Sequence, residues 1–350
     1  MREVCTIGLD IAKNIFQAHG EDRTGHKVFN KKIARSGVLT FFATLPPCLI
    51  GIEACGSAHY WARKLQAQGH TVKLIPPQFV KPFVLNNKTD AADARAICEV
   101  VRRPGTKFVP IKSIEQQQIT AMHCIRERLI KNRTALTNQI RALLYEQGIV
   151  FHQGINYIAK EIPELLANGS DKISDVLLGI IQSLWEEYRQ LNEKISSITK
   201  TIEKYAKVND HCKRVMKVAG VGALTATAVV AKYGTAQQFK NGRQFSAFLG
   251  LTPKEHSSGG KQKLLNISKH GDIYLRKLLI QGARVICRLW NTPEAASSSD
   301  RRKLWIREVA LRRGTQKAIV AQANKTARII WNVLARGEEY QPNYCQNLGG

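Results

Sequence analysis

Hydrophobic and polar positions fall into three regimes along the chain. In the first, short apolar runs of strand length alternate with amphipathic helical stretches. "VCTIGLDIA" is an apolar strand ending near Asp10, and "IFQAHG" and "HKVFNKK" continue as short strands. "GVLTFFATL" has helical character, and "CLIGIEACG" is a buried strand reaching Glu53. "SAHYWARKLQAQG" is a helix closed by Gly69, and "TVKLIPP" is a strand stopped by prolines. A helix carrying Asp90 and Asp93 follows. Three strands, then strands separated by helices, predict an α/β layer domain with a mixed sheet over residues 1–110.

The second regime, residues 111–210, is helical. Leu177, Ile181, Leu184, Tyr188, Leu191, Ile195, Ile198, Ile202 and Tyr205 step by four and three alternately, which is a coiled-coil seam. Ile125, Leu129, Asn132, Leu136 and Ile140 make a shorter seam that places Asn132 at a core position. A loop-containing link near 148–172 leaves an antiparallel pair, a dimer, or both open. The third regime, 211–340, consists of short helices, basic loops and glycines, followed by a tail at 341–350. "VMKVAGVGALTATAVVAKYG" reads as helix, Gly-Val-Gly turn, helix, and "SSGGKQKLLN" as a loop. "DIYLRKLLIQGARVICRLW" and "KAIVAQANKTARIIWNVLARG" are amphipathic helices with a Ser-rich break at 297–299 between them.

Composition narrows the class. Of 350 residues 44% are hydrophobic, without the run of about eighteen apolar residues that a membrane span requires. The N-terminus reaches Asp10 too soon for a signal-peptide core. Eight scattered cysteines form neither a CxxC pair nor a zinc-spaced cluster, so reduced thiols in a cytoplasm are expected. The formal net charge of +26 is uneven: +8 over 1–110, +1 over 111–210 and +17 over 211–350. Such an excess calls for counter-charge, and a phosphate backbone supplies it better than a membrane surface, which would need a basic helix with a bulky apolar face.

Against that excess, four acids stand out. Asp10 ends the first strand, Glu53 ends a later central strand, and Asp90 and Asp93 sit three apart on one face of the next helix. Each alone reads as a surface or cap residue; Asp90 would suit a helix N-terminus through the dipole. Gathered at one sheet edge they would repel unless divalent cations neutralise them. Mg²⁺ prefers such oxygen ligands and can stabilise attacking and leaving oxygens in phosphoryl transfer.

"IGLDIAK", "IGIEACGS", "NKTDAADAR", "VAGVGALTA", "FSAFLGLTPKEHSSGG" and "ISKHGDIYLRKLL", in this order, resemble the DEDD-motif transposases of bacterial insertion sequences, the IS110 family, relatives of the pilin-gene invertases. The resemblance spans nearly the whole chain. It implies an RNase H-like, Holliday-junction-resolvase-like N-terminal domain whose four acids match Asp10, Glu53, Asp90 and Asp93. A coiled coil and a C-terminal transposase domain with a serine nucleophile are implied to follow. That serine falls on Ser258, with Ser257 the adjacent alternative. The family further implies DNA as substrate, Mg²⁺ as cofactor, a noncoding bridge RNA as guide, and a dimer or tetramer whose composite site draws on two protomers.

Several residues gather around this chemistry. Gly220 and Gly222 form a helix-hairpin-helix-like turn that lets backbone amides approach a phosphate, although Ala219 stands where the family has proline. Arg243, Lys254, Lys261, Lys263, Lys269, His270 and Arg276 cluster around the serines as phosphate contacts, while His256 is a weaker candidate for proton transfer. Arg301, Arg302, Lys303, Arg307, Arg312 and Arg313 form a second basic group, read as a nucleic-acid track. Two rival readings remain: a junction-resolving nuclease using the acids and water, and a non-catalytic nucleic-acid-binding protein.

Overall fold

The computed structural model describes residues 3–84, 89–152, 154–168, 173–290, 292 and 301–341. Lys88, the Ser-rich break at 297–299 and nearly all of the tail lie outside them. Two compact units divide the chain, Met1–Ile114 and Glu115–Gly350.

The first unit is built on β1 (Thr6–Asp10), β2 (Ile15–Glu21), β3 (Lys27–Ala34), β4 (Leu49–Glu53) and β5 (Thr71–Ile75), in the spatial order β3-β2-β1-β4-β5. β1 pairs antiparallel with β2 and parallel with β4, and β4 pairs parallel with β5. The antiparallel meander needs only short turns. The parallel pairs need crossovers, which α1 (Val38–Ala43) and α2 (Ala58–Ala67) provide. Ile7, Leu9, Phe16, Ile50 and Ile52 point to one face and bury themselves with Phe42, Trp61 and Leu65 of those two helices. A short α3 (Pro77–Val80) follows β5, and the other face is covered by α4 (Asp90–Arg102), whose Ile97, Val100 and Val101 are buried. This mixed sheet is compatible with an RNase H-like domain.

The second unit opens with α5 (Ile114–Tyr145), α6 (Ile155–Asn168) and α7 (Asp175–Val208). Arg126 Nε donates to Thr199 Oγ1 at 2.9 Å and Arg133 Nη1 to Asn192 Oδ1 at 2.7 Å, so α5 and α7 run antiparallel within one chain. The α7 seam buries Ile181, Tyr188, Leu191, Ile195 and Ile202 as its spacing requires. On α5 the expectation fails at two positions, and the first is Ile125, which is exposed. Asn132 is exposed, and the polar residue in the seam is Arg133, one position on, because the buried series runs Leu129, Leu136, Ile140 and Leu144. The link between the long helices is itself helical: α6 buries Ile158 and Ile162 against them.

α8 (Asp210–Met216), α9 (Ala223–Tyr233), α10 (Gly242–Phe248), α11 (Ile273–Trp290), α12 (Arg301–Arg313) and α13 (Thr315–Ala335) share one core, with Phe245, Leu279 and Ala327 among its centre. The N-terminal half of α5 joins it, so from Glu115 onward the helical region belongs to the same compact unit as residues 211–340. His123 of α5 makes the link. Thr227 of α9 gives its hydroxyl proton to the Ala223 carbonyl, so its oxygen accepts from His123 Nε2 at 3.0 Å, and Nδ1 accepts from Tyr274 of α11 at 2.9 Å. Burial, then Arg126 and Lys232, push this imidazole down to about 4. The folded chain therefore binds this proton later than the unfolded chain as pH falls. Stability should be full above pH 6.5 and fall toward pH 4, by on the order of 3 kcal/mol from this residue. Thermal melts between pH 7 and 4 check it: His123→Gln should flatten the profile.

Candidate active site

Gly8 of β1 lies in register with Gly51 of β4. Both face α4. A Cβ on Gly8 would stand 1.9 Å from the Ala94 carbonyl oxygen, and one on Gly51 would stand 2.9 Å from Val101 Cβ. The two glycines thus form a smooth trough in which the helix lies directly on the strands. Side chains alternate along a strand, so the residues two further on, Asp10 and Glu53, emerge on this same face at the C-terminal end of the parallel pair. Helix direction completes the set. Cys98 Sγ reaches the Thr6 carbonyl while Ala94 crosses Gly8, so α4 runs antiparallel to β1 and its first turn, with Asp90 and Asp93, lies toward the Asp10 end. Thr89 caps that turn by accepting from Ala92 N at 3.2 Å, which leaves both aspartates out of the capping role. Asp10, Glu53 and Asp93 are half-buried and Asp90 is exposed.

The field of the strand carboxylates registers on a neighbour. The Cys55 thiol is pushed up first by burial, then by the charges of Glu53 and of Asp10. Ser57, in the loop after Glu53, holds a left-handed backbone with φ 66°, a conformation that non-glycine residues rarely adopt outside tight or functional turns. Among the described residues no group of three or more His, Cys, Asp or Glu side chains forms a ready-made metal cage. Mg²⁺ does not require one, since it binds through one or two carboxylates together with substrate phosphates and water. The hard-oxygen pair Asp10 and Glu53, with Asp93 and Asp90 on the helix above, fits that kind of site.

Sequence reasoning missed the row beside it. Gln17, His19 and Glu21 alternate along β2 on the face under α4, all buried. Gln17 lies opposite Asp10 in the ladder and bonds Asn30, while Glu21 accepts from His19 at 3.1 Å and pairs with Arg102 at the far end of α4. Burial lowers the His19 pKa despite Glu21, so the imidazole stays neutral and the column anchors the helix without adding charge. The signal was the strict polar alternation in "FQAHGE".

The serine segment is a β-hairpin rather than a loop. β6 (Pro253–Glu255) pairs with β7 (Leu264–Ile267), His256 N donates to the Lys263 carbonyl, and Lys261 N closes on the Ser258 carbonyl at 3.0 Å. Gly259 and Gly260 take φ 55° and 75°, the two successive positive values of a type I′ turn. Glycine pairs therefore specify the tip. Ser257 Oγ donates to Glu255 Oε1 at 2.6 Å, and Gln262 donates to the same oxygen at 3.2 Å. Those hydrogen bonds, Ser257 first, hold the exposed Glu255 carboxyl below its ordinary range. Spacing of two on a strand could have revealed the pair. Ser258 Oγ makes no hydrogen bond to another described residue.

The basic candidates divide. Lys254, Lys261 and Lys263 are exposed on the hairpin, and His256 and His270 are exposed as well. Arg243 and Lys269 line a groove at its base. Arg276 is corrected: it is buried, and its Nη1 donates to the Leu249 and His270 carbonyls at 2.9 and 2.7 Å, so it braces the loop rather than meeting phosphate. Arg302 is likewise buried, over the rings of Trp290 and Tyr340. Lys303 and Arg307 are half-buried, Arg312 and Arg313 are exposed, and the Arg301 side chain lies outside the described set. Gly220, at φ 79°, is explained by packing, because its Cβ would strike Ile286 of α11 at 2.4 Å. Gly222 is exposed at the start of α9 and retains its approach to solvent.

Comparison with known proteins places both regions. Residues 7–148, which include all four acids, match the DEDD transposase profile of IS110 type, and residues 212–299, which include the hairpin, match the transposase IS116/IS110/IS902 family. A probable family 20 transposase of Pseudomonas aeruginosa is 44% identical over 337 residues, covering 96% of this chain and 98% of that protein. The transposase for insertion sequence element IS1111A of Coxiella burnetii is 40% identical, with 97% and 92% covered. The transposase for element IS1328 of Yersinia enterocolitica is 36% identical, with 96% and 98% covered.

Proposed function

Because this chain belongs to the IS116/IS110/IS902 family of insertion-sequence transposases, enzymes that act on DNA, we propose that it cuts and rejoins DNA strands through the carboxylate face of its first unit and the serine hairpin of its second. The observation that carries the reading is the glycine trough. It sets Asp10 and Glu53 side by side, with the acid-bearing first turn of α4 at the same end. In chain order, Asp10, Glu53, Asp90 and Asp93 also match the four letters of the DEDD family name. Asp10 and Glu53, with Asp93 and Asp90 beside them, would hold Mg²⁺; when bound, the ion supplies positive charge to the scissile phosphate and the oxygens around it.

Ser258 is the nucleophile in this reading. Its hydroxyl oxygen bonds to phosphorus as one phosphorus–deoxyribose oxygen bond breaks; the serine proton is released and the leaving oxygen gains one. The resulting phosphoserine keeps the energy of the cut bond, so rejoining needs no nucleotide. Glu255 holds Ser257 rather than Ser258, and a carboxylate this well stabilised orients a hydroxyl better than it removes its proton. That bond favours a second reading in which Ser257 attacks.

The Lys254, Lys261 and Lys263 side chains surround the tip and suit phosphate neutralisation. The +8 balance of residues 1–110 supports a further nucleic-acid partner, an element-encoded bridge RNA that guides the cut; a homo-oligomer as the working form follows from the family resemblance alone. Incubating the protein with Mg²⁺, the element's RNA and labelled terminus DNA, then mapping the adduct by mass spectrometry, tests the reading. A phosphopeptide on Ser258 that Ser258→Ala abolishes is expected. An adduct on Ser257 shifts the role to that residue. Free ends without any adduct identify a water-using nuclease.

A further inference from the structure

Along the base of the serine hairpin runs a groove of about 1450 Å³, walled by β6, β7, α10, α12 and α13. Pockets for small molecules hold about 300–1,000 Å³, so this volume suits a polymer. Among the described residues, six cations line it (Arg243, Lys269, Lys317, Lys325, Arg328 and Arg336) and no acid does. Arg336 has a partner outside the groove in Glu338, at 3.7 Å. The floor is apolar, with Leu251, Ile267, Val320 and Ile329, and Trp305 stands half-buried in the wall with the Lys325 ammonium 4.4 Å from its ring centre. Lys269 reaches the groove from a left-handed backbone, φ 56°, a strain that the Gly250 carbonyl stabilises by accepting from its amide.

We propose that this groove binds an unpaired DNA strand and leads it along the hairpin to the serines. A cationic rim alone would suit duplex as well. The apolar floor and the tryptophan decide otherwise, because they reward exposed base faces, which a duplex hides in its stack. The proposal rests on the transposase reading only for the choice of DNA; the binding itself requires neither metal nor serine.

Anisotropy of a labelled oligothymidylate with the full-length protein tests it, without divalent metal and across a salt series. Lys317→Glu/Arg328→Glu should weaken single-strand binding by roughly tenfold or more and flatten its salt dependence by about two charges, while duplex binding changes less than about twofold. Both side chains are exposed, so circular dichroism should be unchanged. Equal loss of duplex and single strand would overturn the proposal, as would tighter binding of oligouridylate than of oligothymidylate. Ser258→Ala should bind like the parent chain, so a failure of the serine reading leaves this measurement intact.

Discussion

Asp10→Asn or Glu53→Gln is expected to lower strand cleavage by about a thousandfold or more while DNA binding persists. The magnitude follows from the role. Losing one preorganised charge-stabilising group costs about 10²–10³ in rate, and a carboxylate that also holds the ion loses metal affinity besides. Both substitutions keep shape, and both side chains are half-buried at the end of a strand, so packing should be preserved. Stability gives a second readout with the opposite sign. Side chains facing one another on neighbouring strands lie about 5 Å apart, and two like charges there repel. In chelator, Glu53→Gln should therefore melt at or above the temperature of the parent chain. With Mg²⁺, the parent chain should gain stability and the variant should not. Full cleavage by Asp10→Asn would remove the acid face from the mechanism. A lower melting temperature of Glu53→Gln in chelator would show Glu53 to be a structural residue.

The first unit was legible because its pattern is local. "IGLD" and "IGIE" each combine apolar burial, a glycine and a terminal acid, and the parallel pairing of β1 with β4 brings Gly8 level with Gly51. Sequence gave the acids but not the reason they converge, since the trough depends on which helix crosses which strand. The polar row Gln17, His19 and Glu21 was overlooked because its members are buried only through α4, a helix some seventy residues downstream. On α5 the heptad holds at Leu129, Leu136 and Ile140 and misses at Ile125 and Asn132. Asn132 looked like a register-setting polar residue, whereas Arg133 fills that position by spanning to Asn192. The serine segment reads as a loop because Pro-Lys-Glu and Leu-Leu-Asn-Ile are too short to set up a strand's alternation of apolar and polar residues. Only the Gly259–Gly260 pair pointed to a hairpin. Arg276 and Arg302 show the limit of charge counting, because an arginine that bonds carbonyls or stacks on rings has the same letter as one that meets phosphate.

Gly8→Ala should destabilise the first unit by about 3 kcal/mol or more and abolish cleavage with all four acids intact. The new methyl group would sit 1.9 Å from the Ala94 carbonyl oxygen and 2.5 Å from Cys98 N. Both are helix backbone, which cannot rotate away, so α4 must lift from the strand and part of the Ile97 and Val101 burial is lost with it. Gly51→Ala meets Val101 Cβ at 2.9 Å, Ile97 Cγ2 at 3.0 Å and the Ile97 carbonyl oxygen at 3.2 Å, contacts far less severe than those at Gly8, so a shift of α4 by a few tenths of an ångström should limit the cost to about 1–2 kcal/mol. Gly56→Ala, with nothing within 4 Å of its Cβ, should change stability by less than about 0.5 kcal/mol. The order, Gly8 above Gly51 above Gly56, is the content of the prediction. Chemical denaturation ranks the three, and hydrogen exchange along residues 90–102 reports whether the helix has moved. Lost cleavage with unchanged exchange in Gly8→Ala would mean that α4 does not position the acids. Equal costs at all three glycines would mean that the helix does not lie in the trough.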